Sequence, residues 1–304
     1  MTRPFTIGTR ASRLARSQTG LVTDALSAAF PELTIEVREI TTHGDRVTDR
    51  PISEAGGTGV FTREIERHLL AGDIDLAVHS LKDLPVEQPA GLVIAATPER
   101  ADPRDALVCR QAHALAELGE GAVVGTSSPR RTAQLLALRP DLTVRPIRGN
   151  VDTRLERLAR GDYDAVVTAK AALDRLGRAD VVTEVLDVAT FLPAPGQGAL
   201  AVEIREGDLD VMRLAEALNH TPTFVATRAE RMLLARLGGG CHLPVGALAE
   251  CVGSDQLVLR AAVVSPDGRK AVRAEAHGSL QNPVEAVDKC TGELRRRGAD
   301  ALIP

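Results

Sequence analysis

Two strand-to-helix turns in this chain combine hydroxyl groups with arginines. The first, Gly125-Thr126-Ser127-Ser128-Pro129-Arg130-Arg131, follows a short apolar strand and opens a helix. Ser128 suits an N-cap, and Pro129 suits the first helical position, where a missing N–H costs nothing. Free N–H groups at a helix start attract anions, and two guanidiniums strengthen that attraction. Spacing alone gives equal weight to an anion site and to a capped helix with solvated arginines.

The second turn is Ile147-Arg148-Gly149-Asn150-Val151-Asp152-Thr153-Arg154. Arg148 is predicted at the carboxyl end of a strand, where open α/β sheets bind ligands, and Arg154 on the helix that follows. For either arginine alone, surface charge is the simpler interpretation. Two such turns in one domain favour a ligand that carries several carboxylates.

A third segment, His79-Ser80-Leu81-Lys82-Asp83-Leu84-Pro85, follows the predicted strand Asp75–Val78. A hydroxyl, an ammonium and a carboxylate stand together there, ahead of a proline that stiffens the chain. An ordinary polar loop would have a similar composition. The position supports function, because the ends of parallel strands in this class of fold face the ligand crevice.

Two glycine-rich segments could have a functional role, one before Cys241 and one before a predicted helix. Cys241 follows Gly238-Gly239-Gly240, a loop that can bring its sulfur close to a bulky group, although most free cysteines are small core residues. Cys241 and His242 are adjacent, so their side chains diverge and a thiolate–base pair is a weak hypothesis. Gly56-Gly57-Thr58-Gly59 fits a flexible lid and an ordinary connection equally well.

The composition is that of an ordinary globular protein. A chain of 304 residues suggests two or three domains, and 44% hydrophobic with 26% charged residues excludes a disordered or fibrous class. A formal net charge of −4, 2% aromatic residues and no Trp argue against a nucleic-acid partner. Lysine occurs at only four of the 37 basic positions, which leaves 33 arginines, the side chain best suited to carboxylates.

The sequence predicts no membrane-spanning helix, no metal site and no signal peptide. No apolar run approaches the roughly 18 residues of a membrane-spanning helix. The four cysteines and seven histidines show no metal-ligand spacing, and the thiols are expected to be reduced. The first residues lack the apolar core of a signal peptide, so we expect a cytoplasmic protein.

The hydrophobic pattern predicts an α/β fold. Strands over 5–8, 33–37, 74–78 and 92–96 alternate with helices over 12–30 and 61–69, as on a mostly parallel sheet. A second block repeats this rhythm, with strands over 122–125, 142–147 and 165–167 and helices over 130–138, 153–160 and 169–176. A linker over 193–198 and a strand over 199–204 follow. A small α+β tail is predicted after residue 220, with a hairpin of Gln256–Val264 and Ala271–His277 around Ser265-Pro266-Asp267-Gly268.

Taken in order, these segments resemble the porphobilinogen deaminase (hydroxymethylbilane synthase) family over essentially the whole chain. The matching segments are Gly8-Thr9-Arg10-Ala11-Ser12, Ala77-Val78-His79-Ser80-Leu81-Lys82-Asp83, Gly125 to Arg131, Arg148-Gly149-Asn150, Leu192-Pro193-Ala194-Pro195-Gly196-Gln197-Gly198 and Gly239-Gly240-Cys241. Each segment is a weak signal alone, whereas the combination is highly specific.

The resemblance implies two domains like those of type II periplasmic binding proteins, joined by hinges, plus a small C-terminal α+β domain. The expected boundaries are 1–98 with 199–217, 103–192 and 221–304. It also implies a dipyrromethane cofactor, attached by a thioether to Cys241. On this cofactor the family joins four porphobilinogen molecules, releases ammonia at each step and then frees hydroxymethylbilane. The expected enzyme is a monomer with no nucleic-acid or membrane partner.

The resemblance also assigns residues. It implies that Asp83 is the catalytic carboxylate near the pyrrole nitrogens. The residues it assigns to cofactor and substrate binding are Arg10, Ser12, Ser80, Lys82, Thr126, Ser127, Ser128, Arg130, Arg131, Arg148, Gly149, Arg154 and Gln197. Family members often carry lysines where this chain has Glu54 and Thr58, so a lysine contact from that loop is not expected, and Glu54 is expected to face solvent.

A competing hypothesis is a non-catalytic solute-binding protein for a carboxylated or phosphorylated ligand. It accounts for two hinged α/β domains and their arginines. It does not account for the third domain or for the glycine-flanked Cys241, and an exported binding protein would need a signal peptide.

Overall fold

The structure is a computed structural model that describes residues 4–42, 62–240 and 243–303. The chain divides into two compact units. Unit 1 consists of Met1–Ala101 and Ala199–Phe224, and unit 2 consists of Asp102–Gly198 and Val225–Pro304.

The described residues form strands and helices in the following order. The strands are β1 (Phe5–Arg10), β2 (Ile35–Ile40), β3 (Leu76–Ser80), β4 (Leu92–Ala96), β5 (Asp105–Cys109), β6 (Val123–Gly125), β7 (Thr143–Arg145), β8 (Ala165–Ala169), β9 (Glu184–Val185), β10 (Leu200–Arg205), β11 (Val245–Val252), β12 (Gln256–Val264) and β13 (Ala271–Ser279). The helices are α1 (Arg13–Ala29), α2 (Arg63–Leu70), α3 (Pro129–Leu138), α4 (Val151–Ala159), α5 (Lys170–Arg175), α6 (Leu209–Glu216), α7 (Thr221–Arg236) and α8 (Pro283–Arg296).

Unit 1 contains a five-stranded sheet in the order β2-β1-β3-β10-β4. β1 is parallel to β2 and β3, whereas β10 is antiparallel to both β3 and β4. Four strands therefore run in one direction. β10, which belongs to the later segment of unit 1, Ala199–Phe224, runs against them. This agrees with the mostly parallel sheet that the sequence predicts.

Helix α1 covers one face of this sheet. Its buried positions include Ala15, Val22 and Leu26, whose helical spacing places them on one side. They pack with strand residues such as Ile7 and Val202 in one core cluster. α2 covers the other face with Ile65 and Leu69. The carboxyl ends of β1 and β3 are thereby fixed to packed helices and can position side chains accurately.

Unit 2 repeats the arrangement with a sheet in the order β7-β6-β8-β5-β9. β6 is parallel to β7 and β8, and β5 is antiparallel to β8 and β9. The hydrophobic pattern of the sequence predicts no strand at β5 or β9. β5 is only five residues long and buried on both faces, so it lacks the alternation that marks a half-buried strand.

The end of the chain forms the predicted small α+β part of unit 2. β11, β12 and β13 make an antiparallel sheet, and α8 packs on it through residues such as Val287 and Leu294. The hairpin between β12 and β13 lies where Ser265-Pro266-Asp267-Gly268 predicted it. The predicted fold class is confirmed: two α/β sheets plus a small C-terminal sheet with its helix. Among the helices described, none is long and apolar enough to cross a membrane.

Candidate functional site

A small recess of unit 1 gathers several of the predicted site residues. It has a volume of about 50 Å³ and lies where β1 and β3 end. The residues that line it are Arg10, Ser12, Leu14, Ala15, Gln18, Thr62, Val78, His79, Ser80 and Asp83. Four of them, Arg10, Ser12, Ser80 and Asp83, were predicted from the sequence.

The two serines of the recess are held by helix α1. Ser12 is the N-cap of α1, and its Oγ accepts a hydrogen bond of 3.3 Å from the Ala15 amide. The Oγ of Ser80 accepts a 2.8 Å bond from Nε2 of Gln18, a side chain that is 4% exposed. A buried amide therefore fixes the Ser80 hydroxyl at the end of β3. Gln18 was missed as a site residue because its helical position predicted only a core contact.

Asp83 ends a single 3₁₀ turn, Leu81–Asp83, that follows β3 directly. The turn is anchored because Leu81 is buried and its amide donates to the carbonyl of Ala199 at 3.0 Å. The Asp83 side chain is exposed and forms no hydrogen bond or ion pair with any residue that the structure describes. Lys82 is half-buried beside it. A carboxylate on a rigid turn is therefore available to a ligand in the recess.

In unit 2, the hydroxyls of the first turn mostly bind its own backbone. Ser128 is the N-cap of α3, and its Oγ accepts from the Arg131 amide at 3.4 Å. The Ser128 amide donates to Oγ1 of Thr126 at 3.2 Å. Oγ of Ser127 donates to the Ile147 carbonyl at 2.9 Å and accepts from the Ile147 amide at 3.1 Å. The N-cap at Ser128 and the proline at the helix start are confirmed, and Ser127 joins the two predicted turns.

The arginines that follow are buried around one carboxylate, Asp105, at the start of β5. Arg130 donates to Asp105 at 2.7 Å and to the Leu192 carbonyl at 2.7 Å. Arg131 donates to Asp105 at 2.8 Å through Nε and to the Val167 carbonyl at 3.0 Å. Burial lowers the pKa of Arg130, and attraction to Asp105 opposes that shift. Because one carboxylate faces two guanidiniums, the cluster keeps an excess of positive charge.

Gln197 of the predicted linker belongs to the same buried cluster. Its Nε2 donates to the Pro103 carbonyl at 2.8 Å and to Asp105 at 3.1 Å. Its Oε1 lies 3.5 Å from Nη2 of Arg131. The sequence analysis did not identify Asp105 as a site residue. The available signal was a carboxylate placed next to the apolar run of residues 106–108, because an aspartate in a buried strand needs a partner.

The second turn of unit 2 presents the other two arginines. Nη1 of Arg148 is buried and has no hydrogen-bond partner in the part of the chain described. Nε of Arg154, on α4, donates to the Gly149 carbonyl at 2.9 Å. Gly149 has φ +100°, and a Cβ there would lie 2.8 Å from Cγ2 of Thr153, so glycine is required. Asn150 caps α4 by accepting from the Thr153 amide at 2.9 Å.

The glycine run before Cys241 has three consecutive positive φ angles, at Gly238 (102°), Gly239 (55°) and Gly240 (143°). Other residues rarely adopt such a run, so the glycines fix this loop's path. Cys241 and His242 lie outside the described residues, as do Glu54 and the segment Gly56-Gly57-Thr58-Gly59, which fits a lid and an ordinary connection equally well.

The other three cysteines are free thiols, with Cys109 at the end of β5, Cys251 on β11 and Cys290 on α8. Cys290 is fully buried on α8, and burial raises its pKa to about 12. Burial also raises the pKa of Cys109 and of Cys251. Since the thiolate is the nucleophilic form, these three side chains are poor nucleophiles near neutral pH. No group of His, Cys, Asp or Glu that could hold a metal ion occurs among the described residues.

Family models match nearly the whole chain. The model described as "Porphobilinogen deaminase, dipyromethane cofactor binding domain" matches residues 5–213. The model described as "Porphobilinogen deaminase, C-terminal domain" matches residues 224–296.

Curated relatives are similar over their full length. The porphobilinogen deaminase of Roseiflexus castenholzii is 50% identical over 100% of this chain and 99% of its own. The porphobilinogen deaminase of Thermus thermophilus is 48% identical over 99% of this chain and 98% of its own. That of Bacillus subtilis is 44% identical over 100% of this chain and 96% of its own.

Solved structures show a more distant similarity. A periplasmic substrate-binding protein of an ABC transporter from Coxiella burnetii is 16% identical, with a TM-score of 0.47, over 75% of this chain and 96% of its own. The methionine-binding protein MetQ is 13% identical, with a TM-score of 0.46, over 70% of this chain and 89% of its own.

Proposed function

This chain belongs to the porphobilinogen deaminase family, and we propose how its own side chains carry out that family's reaction. The enzyme is a transferase of tetrapyrrole (haem) biosynthesis that joins four porphobilinogen molecules on a covalently bound dipyrromethane cofactor. It releases ammonia and then hydroxymethylbilane. The observation that carries the function is identity near 50% to deaminases over the complete chain. The hypothesis of a non-catalytic binding protein does not account for that match.

The residues of unit 2 fit a cofactor that carries acetate and propionate groups. Nη1 of Arg148 is a buried donor with no partner within the described ranges, and such a donor is costly unless a ligand supplies an acceptor. The cluster of Arg130 and Arg131 has more positive charge than Asp105 neutralises. Both features favour carboxylates, because guanidiniums bind them with charge-assisted, often bidentate hydrogen bonds.

We propose that the predicted binding residues hold cofactor and substrate. In unit 2 these are Thr126, Ser127, Ser128, Arg130, Arg131, Arg148, Gly149, Arg154 and Gln197. Arg130, Arg131 and Gln197 use most of their donors within the protein, so their contribution is to fix the backbone of this turn and to supply positive charge. In unit 1, Arg10 and Lys82 would bind substrate carboxylates, and Ser12 and Ser80 would supply hydroxyls.

Asp83 is proposed as the catalytic carboxylate. Positive charge develops on the pyrrole of porphobilinogen as ammonia leaves, and again as the new carbon–carbon bond forms. A fixed carboxylate beside the ring N–H stabilises these transition states more than the ground state. The exposed Asp83 on its anchored turn suits this role, whereas Lys82 has the wrong charge for it. When bound, the dipyrromethane supplies the pyrrole on which the chain grows.

Intact-protein mass tests the proposed attachment site. Active protein should be heavier than its sequence by one dipyrromethane, with the added mass on the peptide that contains Cys241. Cys241→Ser should carry no added mass and show no turnover. Cys109→Ser, Cys251→Ser and Cys290→Ala should keep the added mass, because their raised pKa values make them poor nucleophiles. An unmodified yet fully active enzyme would contradict the assignment.

We further propose three domains, over 1–98 with 199–217, 103–192 and 221–304. The two family models support the last boundary, since the first ends at residue 213 and the second begins at 224. Limited proteolysis would test it, because cleavage should concentrate in the connections near residues 99–102 and 218–220.

We also propose that the enzyme acts as a cytoplasmic monomer with porphobilinogen as its substrate and without nucleic-acid or membrane partners. The three free thiols of the described residues support a reducing compartment. Light scattering on the purified protein should give the mass of a single chain, and a dimer mass would contradict the proposal.

A further inference from the structure

Beneath the recess of unit 1 lies a buried group of titratable side chains that the mechanism above does not use. Nε2 of His79 lies 3.1 Å from Oε2 of Glu203, on the adjacent strand β10. Both residues are almost completely buried, at 5% and 0% exposure. Glu66 of α2 packs on the same face of the sheet and is 6% exposed. These three residues are called the His79 cluster below.

Apolar side chains surround part of the His79 cluster. In the β3–β10 pairing, Ala201 lies opposite His79 and Ala77 lies opposite Glu203. α2 contributes Ile65 to this side of the sheet. Oε1 of Glu203 and Oε1 of Glu66 have no hydrogen-bond partner within the described residues. Buried ionisable groups are costly unless they are paired, so the contact between His79 and Glu203 is important for both side chains.

Burial raises the pKa of Glu66, and repulsion from Glu203 adds to that rise, whereas Thr62, His79 and Arg63 oppose it. The Glu203 carboxylate, 3.1 Å from the His79 ring, gives the imidazole a fixed partner inside the protein. The geometry therefore favours His79 as a group that accepts a proton and later releases it.

His79 also reaches the site. It lines the recess together with Asp83 and Arg10. With Glu203 as the acceptor, the proton on Nε2 faces that carboxylate, which leaves Nδ1 as the basic nitrogen. The charged and titratable groups around His79 are Glu203 from β10, Glu66 and Arg63 from α2, Arg10 from β1 and Asp83 from the 3₁₀ turn.

We propose that His79, held by Glu203, relays the proton of each condensation, an inference that rests on the proposed function of the recess. Each condensation breaks the carbon–nitrogen bond of an aminomethyl group and forms a carbon–carbon bond between pyrroles. A pyrrole carbon loses a proton, and the departing amine gains one as ammonia. His79 gives a proton to the departing amine and regains one at Nδ1 from the pyrrole carbon after the carbon–carbon bond has formed, so that atoms and charges balance without any oxidant. Asp83 then remains ionised throughout and stabilises the positive charge.

The tautomer of His79 can be measured without any turnover. In protein labelled with ¹⁵N-histidine, the signal that disappears in His79→Asn identifies this ring by NMR. We expect its proton on Nε2 and a shifted signal in Glu203→Gln, which keeps the shape but removes the charge. His68→Asn is the matched control, since His68 pairs with Asp73 on the exposed side of α2 at 2.7 Å. A proton on Nδ1, or a His79 signal indifferent to Glu203→Gln, would overturn the relay.

Kinetics supply the second test. In cofactor-loaded enzyme, checked by mass, His79→Asn should lower kcat roughly 10²-fold, the usual contribution of acid–base catalysis, with KM changed less than about twofold. His79→Gln serves as a second variant if the first folds poorly. In Glu203→Gln, the acidic limb of the kcat profile should move to lower pH, because the imidazolium loses its counter-charge.

A wild-type kcat in His79→Asn or His79→Gln would overturn this inference and leave the proposed function intact. A loss of kcat that is fully explained by unfolding of the variant would do the same. Failure of the wild-type enzyme to form product would instead overturn the proposed function, while the NMR result would still stand. The two failures are therefore distinguishable.

Discussion

The two five-stranded sheets share one strand order, yet each buries a carboxylate for a different partner. In unit 1, Glu203 lies on the antiparallel strand β10 and faces His79 at 3.1 Å. In unit 2, Asp105 lies on the corresponding strand β5 and faces Arg130 and Arg131. The corresponding strand therefore belongs to a proton-exchanging pair in one unit and to a permanently charged cluster in the other.

The difference separates two tasks. An imidazole changes its charge near neutral pH, whereas a guanidinium never does. Unit 1 has Asp83 and the pair of His79 and Glu203 at its recess, which suits developing positive charge and proton transfer. Unit 2 has an excess of cations, which suits permanent binding of ligand carboxylates. One scaffold carries both because the charges reside in side chains rather than in the sheet.

The largest effect is expected at Asp83, where unit 1 meets the reacting pyrrole. Asp83→Asn keeps the shape and removes the charge, so kcat should fall by roughly 10³-fold or more. Asp83→Glu should retain part of the activity, since the charge is only displaced. Product formation by cofactor-loaded enzyme measures both. Asp24→Asn, an exposed change on α1, is the control. Near-normal turnover in a loaded Asn variant would remove the chemical role from unit 1.

The next effect is expected at Arg148 in unit 2. Arg148→Ala should leave a ligand carboxylate unpaired, and breaking a buried charge pair costs on the order of 3–5 kcal/mol. Cofactor loading or turnover should therefore fall severely, which mass spectrometry and product assays would measure. Arg296→Ala is the matched control, because Arg296 pairs with Glu293 at the exposed end of α8. Equal behaviour of the two variants would show that unit 2 does not bind carboxylates through this arginine.

A third expectation concerns stability. Asp105→Ala leaves Arg130 and Arg131 without their carboxylate, so the free energy of unfolding of the complete chain should fall by about 3–5 kcal/mol. Urea unfolding measures the change. Asp162→Ala, which breaks an exposed pair with Arg157, should have little effect. A small loss at Asp105 would mean that solvent or Gln197 compensates the two guanidiniums, and the contrast between the units would weaken.

The smallest effect is a pH dependence at Glu66. Its pKa is raised in the folded protein, so the folded state binds more protons than the unfolded state between the ordinary value of 4.5 and the raised one. The free energy of unfolding should therefore fall as pH rises through that window. Glu66→Gln, which resembles the protonated form, should remove this decline. Thermal unfolding from pH 4 to pH 8 tests it, and identical slopes in both proteins would show that Glu66 is ionised.

Local features of the fold were predictable because they depend on neighbouring residues. Ser128 followed by Pro129 defined the start of α3, and Ser265-Pro266-Asp267-Gly268 defined the hairpin between β12 and β13. Periodic apolar residues gave α1 and most of the strands. β5 was missed, because a short strand buried on both faces has no alternation to detect.

The sequence by itself determined the family, the class of fold and the residue types that meet carboxylated pyrroles, since motifs and periodicity are written along the chain. Only the tertiary structure decided which charges are paired. His79 meets Glu203 across 124 residues, and Arg130 meets Asp105 across 25. A buried charge is stable only beside a partner that long-range packing brings to it, so the division between a proton-exchanging unit and a cation-rich unit arises from the fold.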